Sequence, residues 1–142
     1  MTPEEKDLLI KDLCARLPYN VALNCTEDDD EKINFNCLLS PDIFKDLMSS
    51  NPNWIYKPYL RPLESMTEEE FQELHNICPH STFNKTNDSG WIIGIDGSKY
   101  GRISRIDEIS KLLDWLNKNM FDYRGLIPMG LALVAPEGMY KV

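Results

Sequence analysis

This 142-residue chain is short of positive charge: 15 lysines and arginines stand against 23 aspartates and glutamates, a net charge of −8. Nucleic-acid binders use Lys and Arg to displace the counterions condensed on phosphates, so DNA and RNA are excluded as expected partners. Long apolar runs are missing too. No stretch reaches the roughly 20 consecutive apolar residues of a membrane-spanning helix. Met1-Thr2-Pro3-Glu4-Glu5-Lys6-Asp7 has neither the basic nor the apolar part of an export signal. These absences predict a cytoplasmic protein with no membrane partner. Cysteine is sparse, and in a reducing compartment Cys14, Cys25, Cys37 and Cys78 are expected to stay thiols.

Signatures of catalysis are equally thin. There is no GxSxG, HExxH or P-loop stretch. His75, Cys78 and His80 form the one cluster of metal-ligating types, but a structural zinc needs four ligands, usually in paired short-spaced motifs. No metal and no cofactor is therefore expected. The acidic run Glu27–Glu31 lacks the mid-loop glycine and distal glutamate of a calcium loop. Gly94-Ile95-Asp96-Gly97 precedes no helix start, so it reads as a hairpin turn and not a phosphate cradle. A Cys78–His75 pair at i, i+3 spacing is the alternative: a small thiol- or metal-dependent enzyme. With no orienting third group in view, no catalytic residue is assigned.

What the chain does contain is a pattern of elements. Apolar residues make up 42% and charged ones 27%, a globular composition for one domain over 1–142. Thr2, Pro3 and Glu5 predict a capped first helix with an apolar stripe of Leu9, Ile10, Leu13, Cys14 and Leu17, stopped at Pro18. Alternation over 21–25 and 33–39 predicts a hairpin centred on Asp29, pairing Leu23 with Phe35, Cys25 with Ile33 and Val21 with Cys37. That register keeps the two cysteines from lying opposite each other and argues against a disulfide.

A short helix follows Ser40, with Ile43, Phe44, Leu47 and Met48 inward, and Trp54 to Met66 should run extended across the surface. Thr67 and Glu70 start a third helix, with Met66 stapling Phe71. A three-stranded meander spans about 82–103, and a last helix over about 104–120 buries Ile106, Ile109, Leu113, Leu116 and Met120 against the sheet. The class is α+β: an antiparallel sheet (hairpin plus three-stranded meander) packed by three or four helices.

The segment Trp54-Ile55-Tyr56-Lys57-Pro58-Tyr59-Leu60-Arg61-Pro62 alternates aromatic and cationic residues on a proline-stiffened strand. These residue types dominate interface hot spots, and a stiff segment loses little entropy on binding. Lys99, Tyr100, Arg102 and Arg105 form a second basic cluster, and Tyr123-Arg124 a third. If they converge, Tyr56, Lys57, Tyr59, Arg61, Arg102, Arg105 and Arg124 offer stacking walls and guanidinium groups to an anionic ligand. The plainer account is that the aromatics pin the segment to the core while the cations stay solvated.

Several stretches also act as one set: Glu4 to Tyr19, Lys57-Pro58-Tyr59-Leu60-Arg61-Pro62-Leu63 through Glu70, Leu113-Asp114-Trp115-Leu116 through Phe121-Asp122-Tyr123-Arg124-Gly125-Leu126-Ile127, and Gly130-Leu131-Ala132-Leu133. Together they resemble a family of small proteins of gut Bacteroidales and of their phages and mobile elements. Relatives often carry two histidines where this chain has Asn119-Met120, a departure that speaks against a metal site there. The resemblance carries no activity across. It implies a non-enzymatic binding protein of phage or mobile-element origin in a bacterial host cell, counteracting host defence by binding a host protein or sequestering a nucleotide signal. A purely structural or accessory phage protein is the other implied role.

Overall fold

A computed structural model describes residues 1–79, 81–86, 90–95 and 106–140. The protein is α+β, and its residues group into two compact units, Met1–Leu60 with the chain from Arg124 onward, and Arg61–Tyr123.

The first unit opens with helix α1, Pro3–Arg16. The Thr2 side chain accepts from the Glu5 N–H, and the Glu5 carboxylate accepts from the Thr2 N–H. Two orphan N–H groups are thereby satisfied at the positive helix end. The buried side is Leu9, Asp12, Leu13 and Arg16. Cys14 and Leu17 of the predicted stripe are exposed instead, because an acid and a base take the inward positions. Strands β1, Ala22–Glu27, and β2, Asn34–Leu38, form the expected hairpin.

Its register differs from the expected one by two residues: Leu23 pairs with Cys37 and Cys25 with Phe35. The cause is Asp30. Its carbonyl accepts from the Ile33 N–H and its side chain from the Lys32 N–H, a local turn that draws Ile33 out of the strand and into the loop. Helix α2, Pro41–Leu47, buries Leu47 and leaves Met48 exposed.

The segment expected to cross the surface is instead strand β3, Trp54–Leu60, antiparallel to β1. Pro58 is tolerated there because the final strand β6, Leu133–Val134, pairs only with Tyr59 and Leu60, leaving that side of β3 unpaired at 58. The sheet order is β2-β1-β3-β6, antiparallel except for β3 with β6. Sequence alternation did not reveal β6, since two residues are too short to show a period. Tyr140 anchors the last segment by donating to the Tyr59 carbonyl at 2.6 Å and accepting from the Ala22 N–H at 3.1 Å.

The second unit holds helix α3, Glu68–Ile77, a β4–β5 pair, Ser81–Thr86 with Gly90–Ile95, and helix α4, Ile106–Lys118. The capping box of Thr67 and Glu70 forms as expected. The third meander strand, expected near 100–103, lies outside the described residues. Among the described side chains of α4, Leu112, Trp115, Leu116 and Asn117 are buried, whereas Ile109 and Leu113 are 40% exposed; the side chain of Ile106, also expected inward, lies outside those described. The helix is turned from the expected stripe so that Trp115 goes inward, with its Nε1–H donating to Glu73 on α3 and its ring stacked on Phe121 at 5.6 Å. Met66, Leu74, Cys78, Leu112, Leu116 and Phe121 complete that core.

The first unit rests on a buried ion pair. Asp12 and Arg16 are both inaccessible to solvent, with Arg16 Nε and Nη2 donating to the two Asp12 oxygens at 2.9 and 3.1 Å. Arg124 Nε approaches Asp12 Oδ1 at 3.3 Å. Removing the shared acid takes from a buried guanidinium the carboxylate to which both its Nε and Nη2 donate, the costly way to break such a pair. Asp12→Asn is expected to lower unfolding free energy by about 3–5 kcal/mol, and Arg124→Ala, at the better-solvated end, by about 1 kcal/mol or less; urea unfolding midpoints measure both.

Candidate functional site

The first unit contains a cleft of about 570 Å³ between the start of α1, the end of α2, β3 and residues 129–131. Its floor is apolar, drawn from Leu9, Leu47, Trp54, Tyr56 and Leu131, and Met1, Ile55 and Met129 stand exposed at its rim. Four charged side chains also line it: Glu5, Lys6, Asp28 and Lys57. Glu5 is committed to the helix cap, and Lys6 donates to the Ser49 carbonyl at 2.8 Å. Asp28, on the acidic turn, and Lys57 are left to face a ligand.

Tyr56 builds the cleft more than it serves it. Its hydroxyl donates to Asp46 Oδ2 at 2.6 Å, while Asp46 Oδ1 accepts from the Asn53 backbone and side-chain N–H groups. Burial, reinforced by the hydrogen bond to Asp46 and its charge, pushes the Tyr56 phenol well above its usual range. On Asp46 burial acts upward, but the donors Tyr56, Asn53 and Trp54 together hold it below the ordinary carboxylate value. This network pins the loop after α2 onto β3.

The seven residues singled out in the sequence do not form one described cluster. Tyr56 and Lys57 line the cleft, while Tyr59, on the same face of β3 as Lys57, donates its hydroxyl to Asn36 Oδ1 at 3.0 Å. Arg124 is on Asp12. Arg61 belongs to the second unit, where its two Nη atoms donate to the two Glu70 oxygens at 2.7 and 2.6 Å and its guanidinium lies 4.3 Å from the Phe121 ring centre. Arg102 and Arg105 lie outside the described residues. The described arginines of the set, Arg61 and Arg124, are thus held by carboxylates, and among the described residues no guanidinium lines the cleft.

Trp54 and Ile55 lie within the proline-stiffened segment expected to bind but outside the seven residues named as contacts, because their exposure on β3 follows only from the fold. Met129 and Leu131 come from a distant stretch, and no sequence signal joins them to β3.

Cys78, of the alternative thiol reading, is wholly buried in the second core, and His75 stacks on Phe71 at 6.4 Å. Among the described residues no group of three or more His, Cys, Asp or Glu side chains could hold a metal ion, and no helix is long and apolar enough to cross a membrane; His80 lies outside those residues. The chain matches no protein-family model, no curated protein and no solved structure.

Two outcomes follow. Iodoacetamide at neutral pH should label exposed Cys14 and spare Cys78 until the protein is unfolded, as read by peptide mass spectrometry. Glu70 is held below its ordinary value: burial acts upward, yet the hydrogen bonds from Arg61 and Thr67 prevail. A carboxyl with a depressed folded-state pKa contributes stability at neutral pH and loses it as pH falls through that value. Arg61→Ala should therefore cost about 1–3 kcal/mol at pH 7 and progressively less below pH ~4, in urea unfolding at each pH.

Proposed function

We propose that the protein works by binding, and that its partner is a protein of the bacterial host, engaged through the cleft of the first unit. The carrying observation is the cleft's make-up: an apolar floor with exposed Met1, Ile55 and Met129 at the rim and, among the described residues, one uncommitted lysine. An apolar anchor entering a desolvated pocket is how interface energy concentrates. A nucleotide signal would ask for several free cations around its phosphates, and Lys57 alone is a poor match. The net charge of −8, with Asp28 at the mouth, favours a basic partner surface and association that weakens with salt. The resemblance to proteins of phages and mobile elements makes a host defence protein the reading for that partner.

The test is affinity capture from a Bacteroidales lysate, comparing the wild-type chain with Ile55→Asp in the cleft and Val134→Asp outside it. A partner that falls about tenfold with the first variant, stays with the second and elutes at raised salt supports the reading. Retention unaffected by Ile55→Asp, or a nucleotide as the co-purifying species, refutes it.

A further inference from the structure

The hairpin carries a feature independent of the cleft's occupant. Cys25 on β1 and Cys37 on β2 sit one register step apart diagonally, Cys25 across from Phe35 and Cys37 across from Leu23, which puts both side chains on the same face of the sheet. Their Sγ atoms are 2.6 Å apart, well inside the separation of two non-bonded sulfurs. With the hairpin centred on Asp29 they would have been two residues further apart along the strands, so the turn at Asp30 creates the pair. Cys25 is buried, with 1% of its surface accessible, whereas Cys37 is only half-buried.

We propose that Cys25 and Cys37 are a redox-active dithiol, oxidised in the folded protein to an intramolecular disulfide by low-molecular-weight disulfides. Exposure assigns the order of steps. The Cys37 thiolate attacks one sulfur of a small disulfide RSSR; a Cys37–SR mixed disulfide forms and one thiolate RS⁻ leaves, taking up the proton that Cys37 released. Cys25 then gives up its proton and attacks the Cys37 sulfur, forming the Cys25–Cys37 bond and expelling the second RS⁻, which is protonated. In sum, two protein thiols lose two electrons and RSSR becomes two RSH, the usual course of thiol–disulfide exchange. In the dithiol, burial, then the hydrogen bond and charge of Cys37, push the Cys25 thiol up to about 12, which leaves the better exposed Cys37 to make the first attack. The bond would close the loop that carries the acidic run Glu27–Glu31 and so restrict that turn in the oxidised form.

The experiment incubates the native full chain with oxidised glutathione under anaerobic conditions, blocks remaining thiols with N-ethylmaleimide and maps peptides without reduction. The expected result is a linked peptide pair joining Cys25 to Cys37, a loss of two mass units in that product, and glutathione retained on exposed Cys14. In Cys25→Ser, which leaves Cys37 without its partner, glutathione should accumulate on Cys37. The proposal is overturned if Cys37 of the wild-type chain stays glutathionylated, if both thiols remain open to N-ethylmaleimide, or if the link forms only in denaturant.

Discussion

One carboxylate with no access to water, Asp12, faces one guanidinium from its own helix, Arg16 a turn away, and one from a remote part of the chain, Arg124 at the start of the last segment. Charges taken out of water cost several kcal/mol each unless paired with good geometry, and the two-pronged Arg16 contact supplies that geometry. The pairing explains why α1 turns Asp12 and Arg16 inward at the expense of Cys14 and Leu17. It also fastens the final segment to the first helix, on which the short parallel pairing of β6 with β3 and the Tyr140 bridge between Ala22 and Tyr59 then build.

The second unit solves a similar problem with a different chemistry. Arg61 has a carboxylate in its plane and an aromatic face against it, since Glu70 takes both Nη atoms and Phe121 lies beside the guanidinium. Glu70 is at once the partner of Arg61 and half of the capping box of α3. A side chain serving two local purposes is a common way for a small fold to define a loop-to-helix junction. The consequence for function is direct: Arg61, which the sequence offered as a ligand contact, is here consumed by internal pairing.

The cleft in the first unit is assembled from what that pairing leaves over. Its apolar residues come from α1, the α2 end, β3 and the stretch before β6, elements whose inner faces are occupied by each other. Trp54 also touches Phe35 of β2 edge-on at 5.1 Å, so the hairpin and the cleft wall are mechanically continuous. A bond across the hairpin and a ligand in the cleft would therefore act on adjacent parts of one sheet.

The chain order itself settled those features whose physics is local. The capping boxes at Thr2 and Thr67, the proline stop after α1, the acidic turn, the α+β class and the existence of each long helix follow from neighbours within a few residues. Tertiary structure decided everything that depended on remote partners. Whether Arg61, Arg124 and Tyr56 face a ligand or a carboxylate turned on where Glu70, Asp12 and Asp46 came to lie. The face of α4 was chosen by the bulk and indole N–H of Trp115, β3 became a strand because β1 offered it an edge, and Cys25 met Cys37 because a two-residue change of register moves every cross-strand contact. Periodicity says which side chains share a face; only packing says what that face meets.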